Sequence, residues 1–215
     1  MGTNDRREKV RNIRQEDIIN AAEKVFFAKG YHNATMDDVA KEAEYSKRTI
    51  YAYFNSKEQV YDAIIARAYQ ILNRQYEQAL NTDIPANGLE KAILMGQVYI
   101  DFLSQYPKYF EAMVYYENRD DDLSSQDQFK LANYREGNVI ADKLIACIKE
   151  GIADGSICNE LDPVSTAFTL YANIIGIGNI IQKKEKYILH TYNKHSAELI
   201  ETMFKLVTAA LRPKL

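Results

Sequence analysis

The chain has no tryptophan, two cysteines, three histidines, four prolines and nine glycines among its 215 residues. Each shortage removes a class of answers. Cys147 and Cys158 stand apart, without the spacing of a structural zinc site or a dithiol redox centre, and both are expected to be reduced and structural, as in a cytosolic protein. His32, His190 and His195 lack metal-ligand spacing and are expected on the surface, so no metal and no cofactor is expected. Few prolines and glycines over this length favour long helices and short turns. No segment sustains the period-two alternation of a half-buried strand. The N-terminus lacks the apolar core of a signal peptide, and its Met1-Gly2 start has Arg6 where a lipidation signal needs Ser or Thr. A cytoplasmic location is expected. Pro163 to Gln182 is free of charge and about long enough to span a bilayer. It also holds Ser165, Thr166, Thr169, Asn173, Asn179 and Gln182, which are costly in lipid. A helix buried in a subunit interface explains the same run, and no membrane partner is expected.

Excess charge is absent too. The net charge is −3 and hydrophobic residues make up 47% of the chain, a soluble globular composition. The charge is unevenly placed. Arg6, Arg7, Lys9, Arg11 and Arg14 face only Asp5 and Glu8 within residues 1–14, a net of +3 that leaves −6 on the remainder. Residues 1–14 are therefore read as a basic flexible arm, and a basic end on an acidic body points to an anionic partner.

After the arm, apolar residues recur at helical spacing and the fold is expected to be all-α with about nine helices. Ile18, Ala22, Val25 and Phe26 form one stripe, and Gly30 sits where a helix C-cap belongs. Thr35 and Asp38 make a Thr-x-x-Asp capping signature for a short second helix holding Met36, Val39, Ala40 and Ala43. Ser46 is the N-cap of a third helix through Tyr53. Ser56 and Gln59 open a long fourth helix as another capping box. A fifth runs from Leu89, a sixth over Pro107 to Asn118, and a seventh from about Gln126 to Asp154. The eighth is capped by Asp162 with Pro163 at its first position, and the ninth spans about Lys194 to Arg212.

Two short helices joined by a tight turn, behind a packing helix, make a helix-turn-helix. Val39, Ala40 and Ala43 would pack against Ile50 and Phe54. That leaves Lys47, Arg48 and Thr49 at the exposed front of the third helix, where recognition helices reach base edges. Arginine suits guanine, lysine suits guanine or phosphate, and threonine offers a hydroxyl and a methyl. A dimer would present two such helices to a near-palindromic operator.

The run from Thr35 through Ala40-Lys41-Glu42-Ala43, then Ser46 to Phe54 (Ser-Lys-Arg-Thr-Ile-Tyr-Ala-Tyr-Phe) and Ser56 to Val60 (Ser-Lys-Glu-Gln-Val), resembles the DNA-binding domain of the TetR family of regulators over about residues 15–65. The resemblance implies a dimeric all-helical repressor, with a helix-turn-helix domain over 15–60 and a ligand-binding and dimerisation domain over 61–215. It implies DNA contacts from Thr35, Ser46, Lys47, Arg48, Thr49, Tyr51, Tyr53 and Lys57, with Thr35, the two tyrosines and Lys57 on phosphate. Double-stranded operator DNA, a small-molecule effector and a second copy of the chain are the expected partners. The sequence departs from the family at Glu44, where the turn usually has glycine. A residue with a Cβ is strained there by about 1–2 kcal/mol, and Tyr45 replaces a small aliphatic residue.

The last helix has a wide apolar face and the eighth carries glycines that allow close approach. Ile175, Gly176, Asn179, Leu199, Ile200, Met203, Phe204, Val207 and Leu211 are expected at a dimer interface. Sixteen tyrosines concentrate attention on the middle of the chain. Tyr106, Phe110, Met113, Glu117, Tyr134, Phe168 and Tyr171 are expected to line an apolar chamber, with Glu117 ready for a cation. The effector is expected to be small and lipophilic, aromatic or cationic. A DNA-bound adaptor acting through a protein partner is the competing reading. An enzyme is not expected. Tyr53 and Lys57 have the Tyr-x-x-x-Lys spacing of short-chain dehydrogenases, but no glycine-rich strand-to-helix turn precedes them, and Gly176-Ile177-Gly178 lies inside a helix.

Overall fold

The computed structural model describes residues 3–82, 85–120 and 123–213, with side chains from residue 5 onward. Among the described residues there are nine α-helices and no strand: α1 Thr3–Asn33, α2 Met36–Glu42, α3 Lys47–Tyr51, α4 Lys57–Thr82, α5 Gly88–Gln105, α6 Pro107–Glu117, α7 Gln128–Asp154, α8 Pro163–Tyr192 and α9 Ser196–Leu211. The chain divides into two compact units, one from Met1–Ala68 with Arg119–Tyr134, the other from Tyr69–Asn118 with Arg135–Leu215. The first therefore reaches past residue 60 along α4 and gains a later segment that the sequence-based boundary assigned elsewhere.

In the first unit α1 packs on α2 and α2 on α3. Ile18, Ala22, Phe26, Val39, Ile50, Phe54, Val60, Ile64 and Ile65 form its core, and Phe129 stacks on Phe54 with ring centroids 4.8 Å apart. The arm expected to be flexible instead forms the first turns of α1. No helix breaker lies between Thr3 and Lys29, so the helix propagates from its buried part into solvent. Gly30 interrupts it with φ 75 and ψ 160, a conformation that a Cβ disfavours. Asp62, buried on α4, receives a hydrogen bond from the Arg119 guanidinium and another from Asn133 Nδ2 at 3.4 Å, while Arg119 also donates to Glu58 at 2.9 Å. Burial pushes the Asp62 carboxyl above its ordinary range, and Arg119 opposes that rise.

In the second unit α5 packs on α6, α8 and α9, and α8 on α6 and α9. Glycine makes two of these approaches possible. A Cβ on Gly178 would lie 2.6 Å from the Phe110 ring, and one on Gly96 would lie 2.8 Å from Phe204. α7 starts at Gln128 because the Asp127 carboxylate accepts from the Phe129 N–H at 2.9 Å. α8 is long and apolar enough to cross a membrane by length and composition, but only 22% of its most apolar window is buried within the protein. Its other flank is exposed.

Candidate DNA-binding surface and effector chamber

The helix-turn-helix is built by local hydrogen bonds. Thr35 Oγ1 accepts from the Asp38 N–H at 3.1 Å, and the Asp38 carboxylate accepts from the Thr35 N–H at 3.0 Å. Ser46 Oγ accepts from the Thr49 N–H at 3.1 Å and lies 2.8 Å from Thr49 Oγ1. Between the helices the Tyr45 N–H donates to Ala40 O at 3.0 Å and the Glu44 N–H to Lys41 O at 3.3 Å. That pair of bonds is a Schellman cap, which needs a left-handed residue at Glu44, and Glu44 has φ 57. Tyr45 turns toward α1 and donates its hydroxyl to Asp17 at 3.2 Å. Burial, then Asp17, raises its pKa.

Charge around the motif is arranged so that lysines hold three of the four nearby acids. Lys29 bonds Asp38 at 2.5 Å, Lys24 bonds Glu42 at 3.0 Å and Lys47 bonds Asp37 at 2.7 Å. The Lys29 ammonium, then Thr35, holds the Asp38 carboxyl down to about 2, and Asp37 raises the pKa of Lys47. Glu44 has no such partner among the described residues. Lys47 and Arg48 are exposed at the front of α3, Thr49 is half-buried, and Ile50 and Phe54 anchor the opposite side with no exposure. Tyr51 is exposed, and Tyr53 is half-buried beneath the Arg11 guanidinium, 5.2 Å from its ring centre.

Lys57 is placed differently from the sequence-based expectation. Its ammonium donates to Tyr31 O at 2.8 Å, Ala34 O at 3.0 Å and His32 O at 3.4 Å, and lies 4.4 Å from the centre of the Tyr31 ring. It clamps the carbonyls freed at the Gly30 break, so its donors point into the protein. Nothing local in the sequence pairs it with residues more than twenty positions earlier. Ser56 Oγ caps α4 by accepting from the Gln59 N–H at 3.1 Å, while Gln59 Oε1 accepts from the Asn55 N–H at 2.7 Å rather than from that of Ser56.

The second unit holds an apolar cavity of ≈ 50 Å³ with Tyr76, Met95, Tyr99, Tyr171, Ile174 and Phe204 among its walls. Of the seven residues expected there, Tyr171 lines it. Glu117 joins through a hydrogen bond, accepting from the Tyr171 hydroxyl at 2.8 Å and the Tyr69 hydroxyl at 2.6 Å. Tyr99, buried in the wall, has a hydroxyl without a hydrogen-bond partner. Burial first, and the neighbouring acidic groups after it, push Tyr69, Tyr99 and Tyr171 well above the ordinary tyrosine range. All three stay protonated, and Tyr69 and Tyr171 donate to Glu117. Phe110 and Met113 are fully buried in the core, and Tyr106 packs on Phe102 with centroids 5.4 Å apart. Tyr134 belongs to the first unit. Phe168 is 57% exposed, since it follows buried Ala167 by one residue and so sits ~100° around the helix. Tyr76 and Tyr99 were missed because one tyrosine on an apolar helix face resembles any core aromatic.

The nine residues expected at a dimer interface separate by face. Met203 and Leu211 are buried within the protomer, and with Phe204 and Val207 they wall the cavity. Ile175, Asn179, Leu199 and Ile200 are half-buried, and Gly176 is exposed with open space beyond its Cα. The outward faces of α8 and α9 enclose a groove lined by Phe168, Ala172, Gly176, Leu199, Thr202 and Leu206. Leu206 at 68% and Ile180 at 42% exposure belong to this surface.

Residues 18–64 match the model of bacterial regulatory proteins, tetR family. The HTH-type transcriptional regulator YhgD of Bacillus subtilis (strain 168) is 25% identical over 157 residues, 73% of this chain and 78% of that protein. The HTH-type transcriptional repressor KstR2 of Mycolicibacterium smegmatis is 27% identical over 151 residues, 69% of this chain and 70% of the repressor. The crystal structure of FadR from Bacillus subtilis in complex with stearoyl-CoA superposes with a TM-score of 0.70, covering 92% of this chain and 99% of that one at 18% identity, which is a likeness of fold. Residues 18–64 thus match the tetR-family regulatory domain, HTH-type transcriptional regulators are similar to the chain along most of its length, and the all-helical fold is shared with FadR.

Proposed function

We propose that the chain is a repressor that binds a near-palindromic operator as a symmetric homodimer and releases it when a small lipophilic effector occupies the second unit. The observation that carries the operator reading is the front of α3, where Arg48 and Lys47 are exposed on a helix anchored by Ile50 and Phe54. The Lys47–Asp37 pair is exposed and readily exchanged for a base or phosphate contact. Thr35, Ser46, Thr49, Tyr51 and Tyr53 supply further DNA contacts. Lys57 reaches phosphate only if it leaves the carbonyls it now clamps, so we assign it to holding α1 against α4. The repressor KstR2 supports the sign of regulation.

The exposed apolar groove of α8 and α9 supports the homodimer, with Ile175, Gly176, Asn179, Ile180, Leu199, Ile200 and Leu206, together with Phe168, on the shared surface. The effector enters where the ≈ 50 Å³ cavity now lies. That volume is far below the ~300 Å³ of a usual small-molecule site, so binding requires the walls to open. The walls are almost entirely apolar, and Glu117 Oε1 already accepts from two tyrosine hydroxyls. Both facts favour an acyl chain over a cation, as does the stearoyl-CoA of FadR. α4 carries Tyr69 and Tyr76 toward one end and Lys57 at the other. An effector that prefers one setting of α4 shifts the population of DNA-binding conformers by as much as it discriminates between them.

The test is binding of the purified protein to DNA from just upstream of its own gene, against scrambled DNA, across a salt series. Selective binding that weakens with salt and is reversed by a long-chain acyl-CoA supports the whole reading. Equal weak binding to both DNAs, with no motif recovered from random DNA, refutes it. Release by lipophilic cations and not by acyl compounds keeps the regulator and replaces the effector class.

A further inference from the structure

The N-terminal turns of α1 carry charge in an ordered way. Arg7, Arg11 and Arg14 recur at i, i+4 and i+7, which places them on one face of the helix. The next position of that series is Ile18, which is fully buried, and Ala22 and Val25 continue the stripe. The arginine face is thus the solvent-side extension of the stripe by which α1 packs in the first unit. Asp5, Glu8 and Lys9 lie off it, Glu8 by the ~100° that one residue turns.

Two interactions fix where this face points. The Arg11 guanidinium lies over the Tyr53 ring at the end of the recognition-helix segment, 5.2 Å from its centre. Arg14 stands close enough to Tyr45 to lower the pKa of its phenol, against the larger effects of burial and Asp17. Both tyrosines border the helix-turn-helix. Residues 5–14 are exposed throughout, and among the described residues no carboxylate lies within ion-pair distance of the three arginines. Three unneutralised guanidinium groups, separated by rises of about 6 and 4.5 Å along a helix face, form a line of positive charge against which a phosphate backbone can lie.

We propose that the first turns of α1 form a second DNA-binding element, in which Arg7, Arg11 and Arg14 bind the operator backbone beside the major groove entered by α3. This rests on the operator reading above and adds a binding element outside the helix-turn-helix. Arg11 shares its guanidinium between Tyr53 and the DNA, so Tyr53 positions it. The partner is duplex DNA, recognised through its charge and shape, because backbone contacts carry no direct sequence information.

The full-length triple variant R7Q/R11Q/R14Q tests this against R6Q/K9Q, which removes two charges from elsewhere on the same helix. Each phosphate that the protein ceases to neutralise lowers the slope of log K against log salt by about 0.9. Removing three arginine–phosphate pairs per protomer of a dimer lowers it by about 5. The triple variant is expected to show that drop with the selected DNA motif unchanged, and R6Q/K9Q a drop of about 1 or less. Circular dichroism and melting controls confirm that both remain folded. An unchanged slope in the triple variant, or an equal drop per charge in R6Q/K9Q, overturns the proposal while leaving the operator reading intact. A wild-type protein that selects no DNA motif overturns both.

Discussion

Replacing Glu44 with glycine separates backbone strain from charge in the turn between α2 and α3. Glu44 sits at φ 57 in a Schellman cap whose two hydrogen bonds, Tyr45 N–H to Ala40 O and Glu44 N–H to Lys41 O, hold it there. The left-handed conformation costs a residue with a Cβ about 1–2 kcal/mol. Glycine removes that cost but gains about 0.5–1 kcal/mol of freedom in the unfolded chain. The net expectation for Glu44→Gly is a gain of about 1 kcal/mol, or about 2–4 °C in melting temperature for a chain of this length. Glu44→Ala removes the charge and keeps the strained Cβ, so it should melt like the wild type. Glu44→Asn, which tolerates this conformation better, should fall between them. Operator affinity should respond differently, rising alike for glycine and alanine because both remove an unpaired negative charge beside DNA. Calorimetric melting with operator titrations on the same three variants checks both. If alanine stabilises as much as glycine, charge rather than backbone dominates and the argument from φ is refuted.

Three further outcomes follow from the geometry. Lys57→Met removes charge-assisted bonds to the carbonyls of Tyr31 and His32 in α1 and of Ala34 just after it, and should destabilise the first unit by about 2 kcal/mol; an unchanged melt together with a reduced salt slope of DNA binding would restore a phosphate contact for this lysine. Leu206→Glu places a charge in the exposed α8–α9 groove and should yield a folded monomer by sedimentation with far weaker operator binding, whereas an unchanged dimer would remove this groove as the interface. Arg119→Met strips the partner from buried Asp62 and should cost about 3 kcal/mol at neutral pH. Asp62 has a folded pKa raised by burial, so it binds more protons folded than unfolded, and stability falls as pH rises from the unfolded value toward the folded one. Loss of Arg119 raises the folded value further. The deficit should therefore be smallest near pH 4 and grow toward pH 7, and denaturant titrations showing the same deficit at both would contradict it.

The parts of this protein that were legible in the sequence are those set by neighbours along the chain. Capping by Thr35, Ser46 and Asp162, the break at Gly30 and the exposure of Lys47 and Arg48 opposite Ile50 all arise within a few residues. Spacing and side-chain type suffice for them, and the match to a known domain over residues 18–64 draws on the same local pattern. The effector chamber was less legible. A tyrosine at helical spacing reads the same whether it fills a core, as Tyr76 and Tyr99 also do in part, or faces a cavity.

Tertiary structure decided what periodicity leaves open. On α9 the apolar positions run nearly around the helix, and only packing against α5 and α8 turned Met203 and Leu211 inward and left Leu206 outside. On α8 one residue separates buried Ala167 from exposed Phe168. Lys57 became a clamp because folding brought the carbonyls of Tyr31, His32 and Ala34 to its ammonium, and Asp62 found Arg119 from a distant part of the chain. The sequence determined the helices, their caps and the reading surface because those depend on short-range hydrogen bonds and backbone conformation. Which faces are core, cavity or partner surface was settled only by long-range packing, since a helix has several stripes and the neighbours that cover them come from remote segments.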